Sequence, residues 1–220
     1  MIFVNFKTYP ESTGEHAVKL AITCEVVSEQ TNIPVIPVVQ VADLWRVTQH
    51  VHIPVWIQHI DPHEQGKHTG FTTLEAVMAS NAAGTLINHS EHTLNEKTLE
   101  LTMGRIKELK GEFLCLICAA DQQSVKNIRQ FQPDYIAYEP PELIGSTTDS
   151  VATKYVDVIT QGVAAADGVP LIVGAGVKDA NDIKISIEQG ARGVLVASSV
   201  ITSKDPQKIL TELVSGFTAS

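Results

Sequence analysis

The feature of this sequence that most constrains its fold is the alternation of short apolar stretches with segments whose apolar residues recur at helical spacing. Eight stretches rich in Val, Ile and Leu predict strands. They cover residues 2–6, 34–38, 55–58, 85–88, 113–117, 135–138, 170–173 and 193–196. Short, almost uniformly apolar strands are typical of a sheet buried on both faces, which indicates parallel βαβ units.

The segments between these strands carry the pattern and the punctuation of helices. One helical face would hold Ala17, Leu20, Ala21, Cys24 and Val27, and a later one Val151, Tyr155, Val158 and Ile159. Asp205-Pro206 predicts an N-cap followed by proline at the first helical position. Lys110-Gly111 predicts a basic last turn followed by a terminating glycine.

Eight β-then-α units in sequence predict an α/β protein with a closed (β/α)₈ barrel, and an open doubly wound sheet is the alternative. No linker or low-complexity run divides the chain, so we expect a single domain over residues 1–220. Barrels of this type typically have ~250 residues, so a chain of 220 predicts shortened helices and loops. In such a barrel, functional residues lie in the loops after the strands.

Composition excludes several classes of partner. The formal net charge of −9 disfavours nucleic acids and anionic membranes. No apolar run approaches the ~20 residues that span a bilayer. The N-terminal residues have neither a basic segment nor a cleavage site for a secretory signal, so we expect a cytoplasmic protein.

The three cysteines do not predict a disulfide framework, because their number is odd. Cys115 and Cys118 form a Cys-x-x-Cys pair, which can indicate redox chemistry, but such pairs usually open a helix and this one falls in a predicted strand.

The loop over residues 59–70 contains His59, His63, Glu64 and His68, which are possible zinc ligands. Their spacing matches no closed metal site, and a polar surface or interface loop is the alternative interpretation. We therefore predict no metal.

Polar residues follow the strands at the ends that a barrel would bring together. Asn5 and Lys7 share one face of the first strand, so Lys7 would overhang the barrel mouth, unless it is a lysine that only reaches into solvent. His89 follows the fourth strand, either to donate to a carbonyl oxygen or as a satisfied, half-buried histidine. Glu139 ends the sixth strand, either as a base at a pocket or as a carboxylate in water.

Small residues after the last two strands predict an anion site. The seventh strand runs into Gly174-Ala175-Gly176 and the eighth into Ala197-Ser198-Ser199. Small side chains let backbone N–H groups approach an anion, and in barrels these two loops often bind phosphate.

Taken together, these motifs resemble the triosephosphate isomerases, in the shortened form typical of archaea. The resemblance rests on Asn5-x-Lys7, on Asn88-His89-Ser90-Glu91, on Tyr138-Glu139-Pro140-Pro141-Glu142 with Gly145, and on Gly174-Ala175-Gly176. It extends over the whole chain. It implies an aldose–ketose isomerase that interconverts dihydroxyacetone phosphate and D-glyceraldehyde 3-phosphate through an enediolate, without a cofactor, in glycolysis and gluconeogenesis.

The resemblance also implies a role for each motif residue. Glu139 would be the base, neutral His89 the acid, and Lys7 with Asn5 would stabilise the developing oxyanion. Glu91 would hold Lys7, and Ser90 would receive the Glu139 carboxylate while the site is open. The phosphate would lie against Ile144, Gly145, Gly174, Gly176, Ala197 and Ser198, beneath a lid formed by residues 140–148.

Four places depart from the family pattern. His92 stands where a basic residue often follows the Ser-Glu pair, and Ser146-Thr147 stands where Thr-Gly is common. Ser198 or Ser199 replaces a common glycine after the eighth strand, and Ala119-Ala120 follows Cys118 where many members have Gly-Glu. None of these changes removes a group that the implied reaction uses.

Two other functions fit the same scaffold. Another phosphate-binding sugar-phosphate isomerase would not require Lys7, His89 and Glu139 together, and a non-catalytic sugar-phosphate binding protein would tolerate loss of Glu139. A shortened barrel exposes apolar surface that another subunit can cover. We therefore expect a homo-oligomer, a tetramer as in the archaeal members of the family or else a dimer, which uses the loop over residues 65–70.

Overall fold

The computed structural model describes residues 1–109, 112–140 and 156–217. Its strands form a closed parallel barrel in which each strand pairs with the next and the last pairs with the first. They are β1 (Ile2–Asn5), β2 (Val35–Val39), β3 (Trp56–Ile57), β4 (Gly84–Ile87), β5 (Leu114–Ala119), β6 (Tyr135–Tyr138), β7 (Leu171–Val173) and β8 (Gly193–Val196). The predicted (β/α)₈ barrel is confirmed. The open-sheet alternative is wrong, because Ile2 of β1 pairs with Val194 of β8.

Helices follow the strands and cover the barrel. In the described part of the chain they are α1 (Glu15–Thr31), α2 (Val41–Thr48), α3 (Leu74–Ala79), α4 (Glu96–Lys107), α5 (Gln122–Ile128), α6 (Val156–Ala166), α7 (Ala180–Glu188), α8 (Ser198–Ile201) and α9 (Pro206–Val214). None of these helices is long and apolar enough to cross a membrane.

The helix signals that fall in described residues are confirmed. All five apolar residues predicted to share a face of α1 are buried. The Asp205 carboxylate caps α9 by accepting a hydrogen bond from the backbone N–H of Lys208 at 3.0 Å. Lys110, Gly111, Val151 and Tyr155 lie outside the described residues.

Strand residues alternate between the barrel interior and the layer beneath the helices. The interior is filled by Phe3, Ile36, Val38, Trp56, Leu86, Leu116, Cys118, Ala137, Ile172 and Leu195. The rings of Phe3 and Trp56 meet edge to face, with centroids 4.9 Å apart. Ile2 and Val4, on the other face of β1, belong to the outer core. Since side chains alternate along a strand, Asn5 follows Phe3 on the interior face, above the packed core.

Candidate active site

A cavity of about 200 Å³ opens at the carboxyl ends of the strands. It brings together most of the residues that the sequence singled out, namely Asn5, Lys7, His89, Ser90, Glu139, Gly174, Gly176, Ala197 and Ser198. They come from the ends of β1, β4, β6, β7 and β8. Glu91 lines an adjoining cavity, which it shares with Lys7. Ile144 and Gly145 lie outside the described residues, as does nearly all of the predicted lid.

The backbone of Lys7 is held in a strained conformation by its neighbours. Its φ is +47°, a left-handed value that is uncommon for residues other than glycine. Its N–H donates to Asn5 Oδ1 at 3.0 Å, and Gln58 Nε2 donates to its carbonyl oxygen at 3.0 Å. Gln58 also donates to Asn5 Oδ1 at 3.3 Å. These contacts fix the direction in which the lysine side chain leaves β1.

Gln58 is a site residue that the sequence analysis did not identify. It follows β3 directly, and its amide reaches acceptors contributed by β1, β2 and the residues after β1. The same criterion that selected Asn5 and Lys7, a polar residue at a strand's carboxyl end, would have selected it.

The charge of Lys7 is matched by Glu91. Lys7 Nζ lies 2.7 Å from Glu91 Oε1. Desolvation raises the pKa of Glu91, but the hydrogen bond and the positive charge of Lys7 lower it by more, so the pKa is below its usual value. Glu91 therefore stays ionised and holds the ammonium group beside the cavity.

The hydrogen bonds of His89 select one tautomer. Its Nδ1 accepts a hydrogen bond from the backbone N–H of Glu91 at 3.1 Å. A ring nitrogen that accepts carries no proton, so this pattern assigns the proton of a neutral imidazole to Nε2. Nε2 faces Glu139 Oε1 at 3.5 Å. His89 is thus arranged to donate a hydrogen bond into the cavity.

Asn88 fixes the turn that carries His89. Its φ is +59°, and its side chain spans two segments. Nδ2 donates to the Cys118 carbonyl oxygen at 2.9 Å, and Oδ1 accepts from the backbone N–H of Leu94 at 2.9 Å. Asparagine tolerates the left-handed conformation better than most residues, which suits it to this position.

Glu139 is a buried carboxylate at the end of β6, with its side chain 7% exposed. Its backbone N–H donates to the Ala119 carbonyl oxygen at 2.8 Å, which extends the pairing with β5. Burial, followed by the charge and the hydrogen bond of Glu139, raises the pKa of Cys118 well above its usual value. Among the described residues Ser90 lines the same cavity without a hydrogen bond to Glu139.

The β7 and β8 loops line the same cavity as these polar groups. Gly176 has a φ of +73°, which glycine adopts without strain. In α8 the backbone N–H groups of Val200 and Ile201 donate to the Ala197 carbonyl oxygen. The N–H groups of Ser198 and Ser199 precede this turn and have no acceptor within the helix. Backbone donors therefore line this wall.

Comparison with known proteins identifies the family. The triosephosphate isomerase family model matches residues 1–214 of this chain. The chain belongs to the triosephosphate isomerase family. A triosephosphate isomerase from Methanothermus fervidus is 38% identical over 217 residues, which cover 97% of each protein. One from Methanothermobacter thermautotrophicus is 40% identical over 98% of this chain and 94% of the relative. A third, from Sulfurisphaera tokodaii, is 35% identical over 97% and 93%.

In this member of the triosephosphate isomerase family, His92 stands where a basic residue often follows the Ser-Glu pair, and it packs against another histidine. The ring centroid of His92 lies 4.3 Å from that of His59. The His59 ring also lies 3.2 Å from Asp61, through Nε2 and Oδ1. A packed pair of imidazoles therefore joins the loop after β3 to the loop after β4. Ser146 and Thr147 lie outside the described residues.

The histidines of the loop over residues 59–70 pack against other rings. His63 stacks on His68 with centroids 4.4 Å apart, and it meets the Phe71 ring edge to face. In residues 1–109, 112–140 and 156–217, no three His, Cys, Asp or Glu side chains are grouped as metal ligands. Cys115 and Cys118 are buried free thiols on β5.

Proposed function

We propose that this chain interconverts dihydroxyacetone phosphate and D-glyceraldehyde 3-phosphate by proton transfer through an enediolate. The observation that carries the proposal is one cavity wall with a buried carboxylate, an imidazole whose Nδ1 accepts a backbone hydrogen bond while Nε2 faces that carboxylate, and an ammonium group. Moving a proton between adjacent carbons requires a base, an acid for the oxygens and a cation for the intermediate.

Each group has a defined step. The Glu139 carboxylate removes a proton from C1 of dihydroxyacetone phosphate, and the C–H electrons form the C1–C2 double bond of the enediolate. His89 donates its Nε2 proton to the oxygen on C2 and takes up the proton of the oxygen on C1. Protonated Glu139 then returns a proton to C2, which gives the aldehyde. Lys7 and Asn5 stabilise the negative oxygen throughout.

The remaining residues position these groups and the phosphate. Glu91 holds the Lys7 ammonium at 2.7 Å, and Ser90 receives the carboxylate when the site opens. The phosphate binds to backbone N–H groups near Gly176, Ala197 and Ser198 and beside Gly174, together with Ile144 and Gly145. We propose that residues 140–148 close over it, since exclusion of water protects the enediolate from losing its phosphate.

A substitution at the base tests this assignment. Glu139→Gln keeps the shape of the side chain but removes its basicity, so turnover should fall by about 10³-fold while inorganic phosphate still binds. Glu100→Gln, on an exposed position of α4, is the control for the same change elsewhere. Equal turnover in the two variants contradicts the role of Glu139. A different outcome is that both variants still bind phosphate but wild type does not convert triose phosphates. That result favours a binding protein or a different sugar-phosphate isomerase.

The cellular setting and the assembly are further proposals. The archaeal relatives support a short-form enzyme of glycolysis and gluconeogenesis that acts in the cytoplasm as one domain over residues 1–220. We propose a homotetramer, with a dimer as the alternative, which is assembled through the loop over residues 65–70. Phe71, which follows this loop, is 50% exposed and gives it an apolar contact surface. A monomer at micromolar concentration in sedimentation equilibrium would exclude both assemblies.

A further inference from the structure

Lys178 is a cation of the cavity wall that the reaction above does not use. It lies between β7 and α7, is half-buried, and lines the cavity together with Gly174 and Gly176. The other lysine of the wall, Lys7, is already paired with Glu91 at 2.7 Å. Within the described ranges no carboxylate lies within 4.0 Å of the Lys178 ammonium. Its charge is therefore available to a ligand.

The backbone around Lys178 is fixed, which leaves the side chain as its free group. The N–H of Lys178 donates to Asp182 Oδ2 at 2.9 Å, and the N–H of Asp182 donates to Asp179 Oδ1 at 3.0 Å. These two bonds cap the start of α7 and fix the backbone of Lys178. The backbone N–H of Lys178 is used in this cap and is not available to an anion.

The helix itself does not account for a lysine at this point. Lys178 precedes the N-cap residue Asp179, at the positive end of the α7 dipole. A positive charge at that end is unfavourable for the helix, and acidic residues are preferred there. A ligand that carries negative charge would remove this disadvantage.

We propose that the Lys178 ammonium binds the phosphate of the triose phosphate, in addition to the backbone N–H groups of the β7 and β8 loops. The proposal rests on the proposed function. A phosphate dianion that enters this cavity meets the negative charge of Glu139, and the protein carries a formal charge of −9. Lys7 is paired with Glu91 at 2.7 Å, so among the described residues that line this cavity Lys178 is the remaining lysine that can supply positive charge to the phosphate.

Three variants test this role against a matched control. Lys178→Met removes the charge at nearly constant length, Lys178→Gln removes it with a polar side chain, and Lys178→Arg retains it. Lys184→Met removes one charge from α7 at a residue that pairs with Glu188 at 4.0 Å and lies outside the cavity lining. The measurements are kcat and KM for dihydroxyacetone phosphate, and the affinity for inorganic phosphate by titration calorimetry, at low and high salt.

We expect both charge-removing variants at position 178 to raise KM and the phosphate Kd about fivefold at low salt, the scale of one partly solvated charge pair. Because the contact is the same in ground and transition states, kcat should change by less than about twofold. High salt should reduce the difference, since it screens the charge. Lys178→Arg and Lys184→Met should resemble wild type.

Equal phosphate affinity in Lys178→Met, Lys178→Gln and Lys184→Met overturns the proposal, provided circular dichroism shows that the variants are folded. The calorimetric measurement does not depend on turnover. If wild type lacks isomerase activity but its phosphate affinity depends on Lys178, the proposed function fails and the phosphate contact stands.

Discussion

Gly174 gives a way to displace the proposed base without changing it. A Cβ atom added at Gly174 would lie 2.4 Å from Glu139 Cγ and 3.1 Å from its Cδ and Oε1. Neither backbone can retreat easily: the N–H of Gly174 donates to the Tyr138 carbonyl oxygen at 2.8 Å, and that of Glu139 to Ala119 at 2.8 Å. In Gly174→Ala the Glu139 side chain must therefore move.

The size of this movement sets the expected loss. Carbon atoms in favourable contact are about 3.5–4.0 Å apart, so Glu139 Cγ has to shift by roughly 1 Å. Misplacement of a reacting group by about 1 Å can cost ~10²-fold in rate. We expect kcat of Gly174→Ala to fall by about 100-fold, with a loss of ~1–3 kcal/mol in the free energy of unfolding from overpacking.

Steady-state kinetics with dihydroxyacetone phosphate, together with urea unfolding, measures both effects. Gly104→Ala is the control, because Gly104 is exposed on α4 and a Cβ there meets no atom within 4 Å. This change should leave kcat unaltered and stabilise the helix by about 0.5–1 kcal/mol. The double variant Gly174→Ala/Glu139→Gln should be no slower than Glu139→Gln alone, since both changes act through one carboxylate. Wild-type kcat in folded Gly174→Ala would refute the reasoning.

Two further predictions follow from the shifted pKa values. The pKa of Glu91 is lowered in the folded state, so the stability that it contributes is present above the ordinary carboxyl range and is lost as pH falls through the folded-state pKa. Urea midpoints of wild type and Glu91→Gln should therefore differ at pH 7 and pH 5 and converge only once the pH is below the ordinary carboxyl range. A difference that disappears already at pH 5 would contradict the ion pair with Lys7. Burial is the main cause of the raised pKa of Cys24, Cys115 and Cys118, so mass spectrometry should find no thiol alkylated by iodoacetamide at pH 8 in the folded protein and three alkylated in urea. Labelling of Cys118 in the folded protein would show that its contact with Glu139 opens readily.

The barrel could be predicted because the periodicity of apolar residues is a local property of the sequence. The exact ends of the strands depend on contacts with residues that are distant in sequence. The prediction for the fourth strand began at residue 85. The strand begins at Gly84, because the Trp56 ring fills the space beside it and a Cβ would lie 2.5 Å from Trp56 Cε2. The contact with Trp56, 28 positions earlier in the sequence, requires a glycine at this position. A local sequence pattern carries no information about such a contact.

The site residues divide in the same way. Asn5, Lys7, His89 and Glu139 were recognisable because each is a chemically distinctive residue at a strand end. Gln58 also stands at a strand end and meets the same criterion, but the acceptors that give it a role lie 20 to 53 residues away in sequence and are visible only in the structure. Lys178 follows Gly174-Ala175-Gly176, a turn for which the sequence predicted only backbone donors to an anion. That its ammonium group is unpaired among the described residues, whereas Lys7 pairs with Glu91, is information that only the structure contains.

The two loops that carry His89 and Lys7 share one structural solution. Each turns away from its strand through a non-glycine residue with positive φ, +47° at Lys7 and +59° at Asn88. Such residues cost about 1–3 kcal/mol and persist only when neighbours hold them. Here the neighbour lies at the carboxyl end of another strand. Gln58, which follows β3, holds Lys7, and the carbonyl oxygen of Cys118 on β5 holds Asn88. Barrel closure fixes these strand ends relative to one another, so the ammonium and the imidazole are positioned by the sheet itself.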